Sequence, residues 1–300
     1  MTSQSVEAAL ARAKALADLN AWPGSSTIDP LGWLSNFDSA EQSVACHLLN
    51  AFMFYPEPMT EALFRASVQA VSPLLVAGQS TRQGAATAWQ SFLARVIVTY
   101  VEGEVPNVTD SGLVFARKAR QLLGISQERI LDPDDAISRW WADRSRPLLF
   151  VDDFVGSGSQ METTWHRPRD LSGGASATFS EAARLGLRAY YTPLFATNTG
   201  RDAISRDCRG LTFLPCHVLD NRFKLTSDEC LLYPAGVAGD VRSLVASASD
   251  RAGIVKTSTI PWDGYGNLGL GLAFSHGVPD ATLPLFYWDA NGWTPLVVRG

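Results

Sequence analysis

Two adjacent acids followed by glycines and small hydroxyls, Asp152-Asp153-Phe-Val-Gly156-Ser157-Gly158-Ser159-Gln160, are the residues of this chain best suited to chemistry. Glycines let a backbone approach an anion closely, serine hydroxyls add donors, and the amino end of a following helix supplies free N–H groups with partial positive charge. That is a seat for a phosphate. The carboxylates, one short loop away, are acceptors suited to the two hydroxyls of a ribose or, less directly, to a Mg2+ that bridges ligand oxygens. Phosphate at one end and a vicinal diol at the other describe a ribose 5-phosphate.

Such a loop needs a strand before it and a helix after it. Pro147-Leu-Leu-Phe-Val151 is a short apolar run that suits a strand buried on both faces, and a helix is expected through Met161, Glu162 and Thr163. Two further runs, Arg188–Phe195 and Leu211–Val218, have the same character, with a helical segment at Thr178–Leu187 before the first of them. Strands spaced by helices imply crossover connections and a parallel sheet. Ligands of such open α/β sheets bind at the carboxyl edge, where the acids would stand. The tail offers strands at about 269–275 and 283–288 by the same reading of apolar runs.

Upstream the pattern is helical: Val6–Leu19, a segment from Asp38 through Met53 that opens with Asp38 and Glu41 as a capping box, then about 59–71 and about 84–98. After Val101 a polar loop feeds a helix from Leu113 to Leu123, which carries Arg117, Lys118 and Arg120 and stops at Gly124. Asp132 or Asp134 starts another through Trp140 and Trp141. The expected fold class is therefore α/β, a Rossmann-like parallel sheet spanning 96–300 with a helical N-terminal section at 1–95.

Composition narrows the function classes. Hydrophobic residues make up 46% and charged residues 18% of 300, which is globular and excludes disordered or collagen-like chains. Twenty-five basic against 30 acidic side chains leave a net charge of -5, so non-specific nucleic-acid binding, which needs a basic surface, is not expected. No run reaches the roughly 18 apolar residues that suggest a membrane span, and the start lacks a secretory pattern, so no membrane partner and a cytoplasmic location are expected. Cys46, Cys208, Cys216 and Cys230 fit neither a disulfide framework nor a zinc site; Cys46-His47 and Cys216-His217 read as packed core.

The 148–160 stretch resembles the phosphoribosyl diphosphate motif of type I phosphoribosyltransferases, in which apolar strand residues precede two acids and a Thr/Ser/Gly loop. More of the chain is similar to one branch of that superfamily, the phosphoribosyltransferase-like proteins of bacterial conflict systems, some of them encoded beside retron reverse transcriptases. The resemblance rests on Gly32-Trp-Leu-Ser-Asn-Phe37, Val105–Gly112 with its Arg-containing helix, Val155–Gly158, Gly266-Asn-Leu-Gly269 and His276–Pro284. It implies the type I phosphoribosyltransferase fold. It also implies that Asp152 and Asp153 contact ribose hydroxyls while Gly156, Ser157, Gly158 and Ser159 hold the 5′-phosphate. Ser111 and Gly112 would belong to a second loop that cradles diphosphate, with Arg117 or Arg120 reaching in. Mg2+ would arrive mainly through the ligand, and no metal site made of protein groups alone is expected.

Each of these features has a plainer alternative. Ser111 also serves as an ordinary helix cap. His276, in Ser275-His-Gly-Val-Pro-Asp280, is placed to orient a substrate or act as a base, or only to bond loop carbonyls. Trp140-Trp141 and Phe286-Tyr-Trp288 read as core or contact aromatics before ligand stackers. Two functions stay open. One is an antiviral-defence effector that binds a ribose-phosphate or nucleotide ligand and transfers or cleaves a base. The other is a non-catalytic nucleotide sensor or assembly subunit, such as part of a retron complex, that uses the same pocket.

Overall fold

The acids are delivered by a strand longer than the apolar run suggests: Leu148–Val155 is extended throughout and nearly all buried, because both of its neighbours in the sheet run parallel to it and helices cover both faces. The structure, a computed structural model, describes residues 5–24, 26–103, 111–171, 174–254 and 262–299. In chain order the elements begin with helices α1 (Val6–Asp18), α2 (Pro30–Leu34) and α3 (Gln42–Ala51), strand β1 (Met53–Tyr55), and helices α4 (Glu57–Gln69), α5 (Ser72–Val76) and α6 (Arg82–Arg95). Next come β2 (Ile97–Tyr100), α7 (Ser111–Leu123), α8 (Pro133–Ala142), β3 (Leu148–Val155), α9 (Ser159–His166), β4 (Arg169–Asp170) and β5 (Ser176–Ala177). The rest are α10 (Phe179–Arg184), β6 (Ala189–Thr197), α11 (Asn198–Asp207), β7 (Leu211–Phe213), β8 (His217–Leu219), α12 (Ala238–Arg251) and β9 (Leu272–Phe274).

The chain forms two compact units, one of residues 61–218 and one of residues 1–60 with 219–300. The dividing lines fall within α4 and β8, whereas the sequence reading drew its line near residue 95.

In the 61–218 unit, parallel strands run in the order β2-β3-β6-β7, with β8 also pairing β6. The α/β class with a mostly parallel, Rossmann-like sheet is thus as expected. Leu148 and Phe150 of β3 and Ala189 and Tyr191 of β6 pack with Ile137 and Trp140 of α8, Trp165 of α9 and Phe179 of α10. Phe150 meets Phe179 edge-on with centroids 5.0 Å apart, an arrangement that suits aromatic quadrupoles. The helix starts follow the sequence closely. The Asp132 side chain accepts from Asp135 N–H at 2.8 Å to cap α8, and Thr178 with Glu181 makes a reciprocal capping box on α10.

In the other unit, β1 pairs in parallel with β9, Met53 opposite Leu272. Its core gathers α1, α3, α12 and the tail. Trp33, fully buried, donates its indole N–H to Leu285 O at 2.8 Å and stacks on Phe286, centroids 5.4 Å apart. Asn36 locks the same turn by donating to Thr294 O and accepting from Thr294 N–H. The Gly32–Phe37 motif is therefore packing machinery. Residues 283–288, expected as a strand, contain a 3-10 turn at Pro284–Phe286, with Pro284 at its first position where the missing N–H costs nothing. Among the described residues no helix is long and apolar enough to cross a membrane.

Candidate functional site

β3 ends at Val155, and the chain turns through Gly156–Gly158 into α9. Gly158 is the N-cap with φ +84°, a left-handed conformation that strains any residue with a Cβ. The Ser157 and Ser159 hydroxyls hydrogen-bond each other at 2.8 Å, and Ser157 Oγ also accepts from Ser159 N–H at 3.3 Å. These half-buried hydroxyls form one small polar surface at the amino end of α9, which carries the partial positive charge that an anion seeks.

A second helix braces this turn. β6 ends at Thr197, whose hydroxyl donates to Gly156 O at 2.6 Å and accepts from Gly200 N–H at 3.0 Å, so it both caps α11 and ties it to the loop. Gly200 packs so closely that a Cβ there would lie 2.5 Å from Gly156 O and 2.8 Å from Val155 Cγ1. Sequence reasoning did not single out Thr197 or Gly200. The signal was present: Thr197-Asn-Thr-Gly200 directly follows an apolar strand and is itself a capped strand-to-helix turn.

The acids sit just below this loop. Asp152 is 4% exposed and Asp153 7%. Asp152 Oδ1 accepts from Asp153 N–H and Oδ2 from the Tyr191 hydroxyl, each at 3.0 Å. Burial first, then the neighbouring Asp153 carboxylate and the hydrogen bond that the Asp152 carboxyl gives to it, push the Asp152 carboxyl well above the ordinary carboxylate range; the Tyr191 hydroxyl opposes this only in part. Burial, with Asp152 beside it, likewise holds the Tyr191 phenol well above its usual value, so it remains a donor.

Neighbouring β2 ends four residues short of β3 in register, Tyr100 opposite Val151, and α7 is pressed onto its end: a Cβ on Gly112 would lie 3.0 Å from Tyr100 Cβ and 3.3 Å from Val101 O. In Gly112→Ala the crowding against β2 is expected to offset the roughly 0.5–1 kcal/mol that alanine brings to a helix, so the urea midpoint should correspond to a change of no more than about 1 kcal/mol. The Ser111 side chain and residues 104–110 of the proposed diphosphate loop lie outside the described residues. Of the cations on α7, Lys118 is ion-paired with Glu61 at 2.9 Å and Arg120 reaches Gln127 at 3.4 Å, towards the carboxyl end of the helix; Arg117 is exposed.

Glu102, just past β2, receives Arg169 and, at 3.2 Å, Arg167; its N–H donates to Thr164 Oγ1 on α9 at 3.2 Å. Arg169, with a side chain 1% exposed, also binds Asp134 and lies over the Phe179 ring. This network ties the end of β2 to α9.

The structure thus brings Asp152, Asp153 and Gly156–Ser159 together on one sheet edge, with Gly112 at the adjoining end of β2, all within the 61–218 unit. His276 belongs to the other unit, where its ring stacks on Phe274, centroids 5.1 Å apart and 6° from parallel. Asp280 pairs there with Arg299. Among the described residues no cluster of three His, Cys, Asp or Glu side chains is assembled to hold a metal ion. A Mg2+ that arrives on the oxygens of a phosphorylated ligand needs no such cluster.

A parallel sheet that hands an acid pair and a Gly/Ser turn to one helix end defines a phosphoribosyltransferase-like α/β protein. Residues 30–299 match the PRTase-CE family, and the chain belongs to it. No curated protein and no solved structure matches the chain.

Proposed function

We propose that the protein binds a ribose 5-phosphate group, as in phosphoribosyl diphosphate with Mg2+, and acts at its anomeric carbon as an effector of bacterial antiviral defence. The observation that carries the ligand is the braced turn at Gly156–Ser159 over the amino end of α9, with two acids beneath it. The defence setting rests on the motif resemblance and family membership alone.

In the reaction, the anomeric C–O bond breaks with its electron pair leaving on diphosphate, and a ring nitrogen of a base forms the new C–N bond and gives up its proton to solvent. Positive charge builds on the ribose ring between the two events, and a carboxylate held close stabilises it electrostatically. Mg2+ held on the ligand's oxygens would neutralise the charge that builds on the diphosphate.

Replacing both acids, Asp152→Asn with Asp153→Asn, is expected to weaken phosphoribosyl diphosphate binding roughly 100-fold or more, the size of losing two charge-assisted hydrogen bonds. Calorimetric titration of the folded double variant checks this. Undiminished binding together with intact biological activity would sink the proposal.

A second reading, a nucleotide sensor that does not turn over, is favoured by the α7 cations: Lys118 is held by Glu61 and Arg120 leans towards Gln127, so exposed Arg117 is the one of the three left to meet a departing diphosphate. Sustained product formation from phosphoribosyl diphosphate, Mg2+ and a panel of bases by the pure protein would exclude it.

A further inference from the structure

The 61–218 unit carries a pocket away from the ligand turn. α8 and α10 end just before β3 and β6 begin, so their carboxyl ends stand at the amino edge of the sheet, whereas Gly156–Ser159 follows the far end of β3, eight residues on. There Trp141, Ser176, Ala177, Glu181, Arg184 and Leu185 line an open cup of about 360 Å3. Its apolar surfaces are the Trp141 ring, the buried Ala177 and Leu185, which is 52% exposed. A lone exposed leucine is ordinary on a protein surface. One that walls a tryptophan-lined cup leaves apolar surface open to water where a side chain fits.

Charge says what the cup receives. The Arg144 guanidinium lies over the Trp141 ring, 4.6 Å from its centroid, where the negative ring face holds it. Arg184 is exposed in the last turn of α10. Neither arginine has an acid partner among the described residues. Glu181, the one acid that lines the cup, is engaged in the α10 capping box, accepting from the Thr178 N–H at 2.8 Å and its hydroxyl at 3.2 Å. Asp143 is bound by Arg146 at 3.0 Å, and Asp170, opposite Ser176 in the β4–β5 hairpin, does not line the cup. An acidic protein thus presents two unneutralised guanidiniums around an apolar hollow.

We propose that this cup docks a short acidic peptide segment of a partner protein: a large apolar side chain enters between Trp141 and Leu185, and neighbouring carboxylates pair with Arg144 and Arg184. A planar guanidinium takes a carboxylate through two parallel hydrogen bonds, which fixes the segment's direction as well as its charge. Nucleic acid fits less well. Arg144 covers a Trp141 face on which a base would stack, Leu185 gives a phosphate backbone nothing to bind, and the chain's net charge is -5. Docking at the amino edge leaves the Gly156–Ser159 turn open, so partner and ligand can be held at once.

The test is selection of a random dodecapeptide phage library on the full chain, counter-selected on the double variant Arg144→Ser with Arg184→Ser, each protein first shown to be folded by its melting curve. Enriched peptides should carry Asp or Glu within a few positions of a large apolar residue. Titrated calorimetrically as a free peptide, the leading sequence should bind the double variant at least roughly tenfold more weakly than wild type, the size of losing a charge-assisted hydrogen bond. Leu185→Ser should weaken it several-fold, and added salt should weaken it further. In an NMR titration the Trp141 indole N–H signal, assigned by its loss in Trp141→Phe, should move with the peptide. A library that enriches nothing over the counter-selection, enriched peptides without acids, or equal binding by wild type and the double variant would overturn the proposal. A Trp141 signal that moves with oligothymidylate and stays still with the peptide would also overturn it and give the surface to nucleic acid.

Discussion

Gly200→Ala is expected to abolish ligand binding and to destabilise the protein, although alanine is the better helix former. In the interior of an exposed helix the exchange gains about 0.5–1 kcal/mol, because glycine loses more backbone freedom on folding. Here the new methyl would meet Gly156 O at 2.5 Å and Val155 Cγ1 at 2.8 Å. The first of these is a backbone oxygen in the very turn that seats the anion, and it is already fixed by Thr197 at 2.6 Å. A flexible side-chain tip would move aside at little cost; this carbonyl moves only if the turn moves. Overpacking of this kind costs about 1–3 kcal/mol, more than the helix gains. The expected result is a lower urea midpoint and no detectable binding of phosphoribosyl diphosphate. An unchanged or raised midpoint would show that α11 does not brace the loop.

That brace was not read from the sequence, and the reason is physical. The 148–160 stretch announces itself because strand, acids, glycines and helix are contiguous. Thr197 and Gly200 act on it from more than 40 residues away, across a β3–β6 pairing that a linear pattern does not display. The same limit explains two misread segments. Phe52 and Met53 continue the apolar pattern of α3 and were expected as its last residues, but Met53 opens β1, which pairs with Leu272–Phe274 far along the chain. Ile97–Tyr100 follows α6 without a polar break, so the helix was expected to run on, whereas pairing with Leu148–Val151 makes it β2. Where the signal is local it reads well: α1, α7, the Asp132 cap and the Thr178–Glu181 box stand close to where residue type alone puts them. For the site, the loop and acids were legible, while the hydrogen bond that holds the Asp152 carboxyl comes from Tyr191 on another strand. The Gly32–Phe37 motif shows the converse: a family-like stretch whose role is a buried tryptophan and its anchors.

Arg169 is the side chain whose loss should cost the 61–218 unit most. Its side chain is 1% exposed and joins Glu102, itself 11% exposed, to the hairpin of β4 and β5. Removing one partner of a buried pair leaves an uncompensated charge, at about 3–5 kcal/mol. Arg167 also reaches Glu102, so Arg169→Met is expected near the lower end of that range. Its other partner, Asp134, is 69% exposed, so water can replace that carboxylate at the guanidinium, and Asp134→Ala should cost about 1 kcal/mol, well below Arg169→Met. The decisive comparison is the double variant Glu102→Gln with Arg169→Met. Replacing both members of a buried pair is often close to neutral, and Arg167, about one-third exposed, can turn to solvent. Urea unfolding should therefore show the double variant regaining most of what Arg169→Met loses. If it does not, Arg169 stabilises mainly through its contact with the Phe179 ring, and the tie between β2 and α9 is incidental.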